Sequence, residues 1–315
     1  MIDVVALGEL LIDFAAKSTD AAGYPTMAAN PGGAPGNFLA ALNAYGRKTA
    51  FLGKVGNDAF GHLLLGTLNA AGIVTKGIVV DDSVFTTLAF VTFDETGDRS
   101  FSFARKPGAD TQLSWEEIDK SLIDEARVFH FGTLSLTDEP VRTATQKAVA
   151  YAKEHGKLIS CDPNLRLPLW KTQEAAKEQM LWSLHQADVV KISDNEVEFL
   201  WGCTPEAGAE KLLMEFGVGL AMVTLGPDGC LLKTKNASFR AACPKVHPID
   251  TTGAGDIFGG SAVSRLLELE KPIDALTADD LAYIGCFAAT AASLSTEAAG
   301  GIPSIPKKSA VLKAI

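Results

Sequence analysis

Along the chain, short apolar runs alternate with stretches whose apolar residues recur at helical spacing. Val4-Val5-Ala6-Leu7 is an unbroken apolar run stopped by Gly8, the pattern of a strand buried on both faces. Pro35 then stands at the mouth of a segment in which Phe38, Leu39, Leu42 and Tyr45 share one helical face, closed by Gly46. Ala50-Phe51-Leu52 predicts a second strand, and residues 57–71 a helix with Phe60, Leu64 and Leu68 on one stripe. Further strands are expected at 128–131, 158–161, 188–192 and 220–224, each next to a helical segment. This rhythm predicts a three-layer α/β sandwich, a mostly parallel sheet with helices on both faces. The uncharged stretch Leu281–Thr296 is 16 residues long, too short to span a membrane, and reads as a buried helix.

One region breaks the rhythm. Residues 86–94 and 99–103 are β-type runs joined by Glu95-Thr96-Gly97-Asp98, which predicts a hairpin. Together with residues from about 12 to 30, the segment from about 84 to 108 is expected to form a small β-rich lid inserted in one domain spanning 1–315. Leu88 and Phe90 oppose Val91 and Phe93 in a period-2 strand, so one face of the lid covers the cleft and the other needs separate cover. The lid of a second subunit supplies that cover most simply, which predicts a homodimer.

Composition narrows the function. The chain has 315 residues, 47% hydrophobic and 21% charged, enough to bury a large core and too apolar for bulk disorder. Its formal net charge is −10, with no Lys/Arg-rich block, so no nucleic acid and no anionic membrane surface is expected as a partner. A phosphate ligand must then be held by local devices, such as backbone N–H groups or a metal. Neither the five cysteines nor the five histidines show disulfide or zinc spacing, and the N-terminus lacks a basic leader, so a cytoplasmic protein is expected.

The most informative segment is Asp250-Thr251-Thr252-Gly253-Ala254-Gly255-Asp256, followed by Ile257-Phe258-Gly259-Gly260 and a helical pattern to about Leu269. Glycines at a loop-to-helix junction leave N–H groups unshielded, and with the helix dipole they form an anion hole for a transferring phosphate. Asp256, at the same helix start, is placed to accept the proton of an attacking hydroxyl. Taken alone, the segment also fits a plain helix N-terminus with glycines for packing. It is neither a dinucleotide fingerprint nor a P-loop, since the third glycine falls at 259 and no Gly-Lys-Ser/Thr follows. In Pro31-Gly32-Gly33-Ala34-Pro35-Gly36-Asn37, paired glycines let a polyhydroxylated ligand approach the backbone, and Asn37 offers donors and acceptors.

Gly32-Gly33-x-x-x-Asn37 and Asp250-Thr-x-Gly-Ala-Gly-Asp256 resemble the two signatures of the ribokinase-like (pfkB) carbohydrate kinases, and the resemblance covers essentially the whole chain. Further matches are Asp13, Asn195-x-x-Glu198 and Thr224-Leu225-Gly226-Pro227-Asp228-Gly229. Three segments are similar to fructokinases in particular: Phe101 to Asp110, Asp162 to Trp170, and Val189 to Asn195.

The resemblance implies an ATP-dependent sugar kinase, with Asp256 as general base and Gly253, Ala254 and Gly255 as the anion hole. It implies sugar contacts from Asp13, Gly32, Gly33, Asn37, Arg105, Asn164 and Arg166, with Arg105 carried into the cleft on the lid. ATP contacts fall to Lys191, Asn195, Thr224, Gly226 and Gly229 beside the 253–255 loop. Glu198 would serve Mg²⁺ through water, and Asp250 and Thr252 a potassium-like ion. D-Fructose is the expected sugar, with 2-keto-3-deoxygluconate or another sugar as the alternative, since Arg105 and the 162–166 segment also suit an acidic substrate. A sugar-binding regulatory protein without catalysis is the remote alternative.

Overall fold

The computed structural model describes residues 1–93 and 99–315, so the expected turn at 95–98 lies outside the described residues. The strands are β1 (Ile2–Leu7), β2 (Leu11–Thr19), β3 (Pro25–Gly32), β4 (Thr49–Gly56), β5 (Val74–Asp81), β6 (Thr87–Phe93), β7 (Arg99–Ala104), β8 (Ala126–Gly132), β9 (Leu158–Asp162), β10 (Val189–Ser193), β11 (Leu220–Thr224), β12 (Cys230–Lys233) and β13 (Ser238–Ala241). The helices are α1 (Ala34–Ala44), α2 (Ala59–Ala70), α3 (Lys120–Glu125), α4 (Val141–Glu154), α5 (Gln173–Gln186), α6 (Asp194–Trp201), α7 (Pro205–Met214), α8 (Ala254–Leu269), α9 (Ala278–Ser295) and α10 (Lys308–Ala314).

Among the described residues, nine strands form the main sheet in the order β13-β12-β11-β10-β9-β8-β1-β4-β5. It is parallel from β11 through β5, and β12 and β13 add antiparallel at one end. Strand alternation sorts the core. Val5 and Leu7 of β1 pack with residues of α3 to α7, while Val4 and Ala6 pack with residues of α1, α2 and α8. The expected α/β sandwich is therefore present, and the 281–296 stretch lies in α9 up to Ser295, with Thr296 as its C-cap. Sequence reading missed β5, β12 and β13. No helix among the described residues is long and apolar enough to cross a membrane.

The smaller sheet has the order β3-β2-β6-β7, built from the two segments expected to form the lid. Phe14 and Phe90 stack at 5.3 Å between ring centroids on one face, and Phe60 of α2 meets Phe14 edge-on at 5.4 Å. The Phe90 side of this sheet is thus covered by the same chain. That removes it from the apolar surface expected to need a second subunit.

α8 crosses α1 at close range because Gly259 and Gly260 carry no side chain. A Cβ on Gly260 would overlap the Phe38 carbonyl oxygen and come within 2.9 Å of Ala41 Cβ. Gly66 of α2, by contrast, has nothing within 4 Å of its Cβ position. Gly260→Ala should therefore destabilise the fold by about 2 kcal/mol or more. Gly66→Ala should be neutral or add up to about 1 kcal/mol through helix propensity. Denaturant unfolding of the two variants beside the parent measures both.

Candidate active site

The carboxyl ends of β9, β10 and β11 lie side by side, and α8 begins over them. This is where ligands bind in open α/β sheets. Gly253, at φ 77, starts α8, and Asp256 is its third residue. Gly255 and Asp256 lie in the first turn, whose amide N–H groups have no intrahelical acceptor. Asn37, near the start of α1, donates through Nδ2 to Asp256 Oδ2 at 2.9 Å. Its other amide atom, Oδ1, is buried and without a partner. Burial raises the proton affinity of Asp256, and the Asn37 hydrogen bond, Lys191 and Arg166 pull it back down.

Lys191 comes from β10 and is buried, with Nζ 3.0 Å from Asp162 Oδ2. The same nitrogen lies 3.0 Å from the position a Cβ on Gly255 would take, so the ammonium rests against the first turn of α8. Burial alone would lower the Lys191 pKa, but the Asp162, Glu196 and Asp256 carboxylates outweigh it and hold the charge. Asp162 itself is pushed up to about 7 by burial.

Among the residues expected to meet the sugar, Asp13 is half-buried within β2. Burial lifts it to about 6, with Asp256 and Asp250 adding to the rise and Arg166 opposing it. These couplings put Asp13, Arg166 and Asp256 around one space. A Cβ on Gly32 would overlap the Asp13 carboxylate, and one on Gly33, at φ 118, would overlap the Glu9 carbonyl oxygen. Both glycines thus leave room at this edge. Asn164 adopts φ 47, a left-handed conformation that Asn tolerates better than most residues, and its N–H donates to Asp162 Oδ1 at 3.1 Å. Arg166 is exposed.

Arg105 differs from expectation. It follows β7 but is buried, and its Nε donates to Asp110 Oδ2 at 2.8 Å, Nη1 to Thr137 Oγ1 at 2.7 Å and Nη2 to the Leu134 carbonyl at 2.9 Å. A buried guanidinium must spend its donors on fixed acceptors. Arg105 therefore fastens the base of the small sheet to the turn after β8.

The expected nucleotide residues lie along the same edge. Thr224 pairs with Ser193 across β11 and β10, and Gly226 and Gly229 have φ 56 and 98 in the turn that follows. Asn195 and Glu198 are exposed on α6. Asp250 Oδ1 accepts from the Thr252 N–H at 2.9 Å and Oγ1 at 2.7 Å, and Oδ2 from the Gly300 N–H at 2.9 Å, which joins the 250–252 loop to the 300–301 loop.

Sequence reading gave no individual role to three buried carboxylates of this region, Asp162, Glu196 and Glu9. Glu196 accepts from the Leu165 N–H at 2.7 Å and from Ser193 N and Oγ at 2.8 Å. Its signal was the spacing Ser193-x-x-Glu196, a capping box. Glu9 accepts from the Ala34 N–H at 2.9 Å, capping α1, and burial pushes it up to about 7. No local spacing announces Glu9 or Asp162.

A family model for pfkB family carbohydrate kinases matches residues 1–308. Fructokinase-2 of Solanum lycopersicum is 40% identical over 314 residues, covering 98% of this chain and 94% of that protein. Among solved structures, the Xylella fastidiosa fructokinase with bound ATP superposes with a TM-score of 0.90 at 30% identity, covering 99% of this chain and 98% of that one. A double mutant of Vibrio cholerae fructokinase, bound to fructose, ADP and potassium ion, gives 0.87 at 30% identity with coverage of 99% and 98%. The chain belongs to the pfkB family of carbohydrate kinases.

The raised carboxyl groups fix the sign of a pH effect on stability. Glu9 and Asp162 near 7 and Asp13 near 6 sit above their unfolded values of 4.5, 3.8 and 3.8, so the native state binds more protons. Stability then rises as pH falls from about 7 towards 4.5. His130, buried and held near 3, opposes this by one proton below its unfolded 6.5. Asp81 and Asp280, held near 2, act only at lower pH. The melting temperature should be higher at about pH 5.5 than at about pH 8. Glu9→Gln should flatten that dependence, which differential scanning calorimetry measures.

Proposed function

We propose that the protein phosphorylates the terminal hydroxyl of a ketohexose with ATP, converting D-fructose to D-fructose 6-phosphate. The observation that carries this reading is the Asn37–Asp256 pair at the start of α8. One carboxylate there is ready to take a proton, and the buried Asn37 Oδ1 has no donor to satisfy it. A sugar hydroxyl lying on Asp256 approaches both groups. Asp256 accepts its proton as the oxygen attacks the γ-phosphorus, and the bond from that phosphorus to the bridging oxygen of ADP breaks. The first-turn amides of α8, with Gly253, Ala254 and Gly255 leaving them open, and the Lys191 ammonium stabilise charge on the phosphoryl group in flight.

Asp13, Gly32, Gly33, Asn164 and Arg166 bind the sugar, and Asn195, Thr224, Gly226 and Gly229 bind the nucleotide. Among the described residues no three His, Cys, Asp or Glu side chains could hold a metal together. The exposed Asn195 and Glu198 fit a hydrated Mg²⁺ carried on the phosphates, where it would offset their charge. The Asp250 carboxylate and Thr252, tied to the 300–301 loop, fit a monovalent cation beside the anion hole, the ligand class found on the Vibrio cholerae relative. An acidic sugar is disfavoured by the commitment of Arg105 to Asp110, Thr137 and Leu134, which leaves Arg166 as the guanidinium facing the cleft. ADP release over a panel of neutral and acidic sugars tests the assignment.

Asp256→Asn should lower kcat by about 100-fold or more with little change in ATP binding. Stopped assays with labelled ATP, beside calorimetry of ATP binding, measure the two separately. A variant keeping most of its kcat would remove Asp256 from the role of base.

The small sheet acts as a lid that excludes water from competing as acceptor. Its edge strand β3, half-exposed at Met27 and Ala28, is the surface offered to a second subunit's lid. Light scattering should return twice the chain mass of 33.2 kDa at micromolar concentration, and the monomer mass would refute the dimer.

A further inference from the structure

One buried carboxylate touches both the sugar-side loop and the phosphate-side lysine. Asp162 ends β9 and is 7% exposed. Its Oδ1 accepts the Asn164 N–H at 3.1 Å, holding the residue whose backbone turns left-handed at φ 47. Its Oδ2 lies 3.0 Å from Lys191 Nζ, the ammonium packed against Gly255 at the start of α8. The neighbouring carboxylate, Glu196, is otherwise engaged, with Leu165 N on one oxygen and Ser193 N and Oγ on the other. A lysine has a flexible four-carbon stem and three rotatable donors, so its direction must come from a fixed partner. Among the described residues Asp162 is the carboxylate in direct contact with it.

We infer that Asp162 is a positioning residue for phosphoryl transfer, aiming Lys191 at the transferring group with one oxygen and fixing the Asn164 turn under the sugar with the other. The inference rests on the phosphate role of Lys191 and the sugar role of Asn164 proposed above. The two oxygens make it separable. Asp162→Asn keeps a carbonyl oxygen that accepts the Asn164 N–H but loses the charge that orients Lys191. Asp162→Ala loses both.

Steady-state kinetics of the full chain with fructose and ATP test this, with melting temperatures recorded for every variant. Asp162→Asn should lower kcat about 10- to 100-fold and leave the KM for fructose within about twofold. Asp162→Ala should lower kcat as far and raise that KM about tenfold. Lys191→Met should cost as much kcat as Asp162→Asn, and the double variant D162N/K191M no more than either alone, because both remove the same interaction. The double variant also removes the unpaired ammonium that could unfold Asp162→Asn, so the comparison with Lys191→Met survives that outcome. Parent-like kcat in Asp162→Asn, or losses that multiply in the double variant, overturns the inference while leaving Lys191 in place. Parent-like kcat in Lys191→Met overturns the phosphate role itself, and the inference with it.

Discussion

The chemistry of this protein hangs on the close crossing of α1 and α8. The contact is anchored from the sheet outward. His130 of β8 stacks on Phe38 of α1 with ring centroids 3.7 Å apart, and its Nδ1 is 3.0 Å from Ser160 Oγ. Burial holds that imidazole near a pKa of 3, so it stays neutral and the stack is a packing contact. Phe38 in turn lies against the bare backbone of Gly259 and Gly260. A side chain at Gly260 would lift α8 off α1, and the Asn37–Asp256 hydrogen bond, one residue along from Phe38, would open with it. A backbone constraint several residues away thus fixes the distance between Asp256, the proposed base, and the Asn37 amide that orients it.

The loops around this crossing are held by carboxylates spent on backbone N–H groups. Glu9 caps α1, Glu196 ties the 162–166 loop to the start of α6, and Asp250 ties two loops behind the anion hole. A buried carboxylate such as Glu9 or Glu196 is costly unless hydrogen-bonded, and each of the three answers a backbone amide. A polar network satisfied in this way is rigid, which a phosphoryl-transfer site requires, since most of its catalysis is positioning. Arg105 belongs to the same scheme. Its ion pair with Asp110 and its bonds to Thr137 and Leu134 make a stiff root for the lid and leave closure to the strands beyond it.

The β/α rhythm was legible because parallel strands buried on both faces are written as uninterrupted apolar runs. β5 was not, because Thr75, Lys76 and Gly77 interrupt its apolar residues at an edge of the sheet. β12 and β13 were hidden by the Gly226–Asp228 turn, which reads as a ligand loop before it reads as a reversal. Asp256 and Asn37 were legible through the glycines that must accompany them. The role of Asp162 was not, although its segment stood out, because its contacts with Lys191 and Asn164 form only where three strand ends and α8 converge. Glu196 carried a readable capping-box spacing with Ser193, which marks a helix start and says nothing of the 162–166 loop it also holds. Arg105 was misplaced for the converse reason: its partner Asp110 is five residues on, outside any helical or strand period, so nothing local showed that the guanidinium was already satisfied.

The remaining question is how so acidic a site receives a nucleotide. Asp13, Asp162, Glu196 and Asp256 surround one buried ammonium and one exposed guanidinium, in a chain of net charge −10. Long-range attraction therefore cannot bring ATP in, and affinity must come from contacts at short range: helix-start amides, Lys191 and cations arriving with the phosphates. The same crowding serves the proton transfer. A carboxylate with ordinary acidity is a poor acceptor for a hydroxyl proton, and burial strengthens Asp256 as a base. Unchecked, that shift would favour the protonated form, which cannot accept a proton. Asn37, Lys191 and Arg166 oppose it, and all three are among the groups proposed above to meet the substrates, so in that proposal the base is set by the groups that bind sugar and nucleotide. In the proposed reaction, filling the site removes water from Asp256 and brings the phosphates against Lys191, which weakens the lysine's hold on the carboxylate. Both changes raise the proton affinity of Asp256 at the moment the hydroxyl arrives, and neither acts on the empty enzyme.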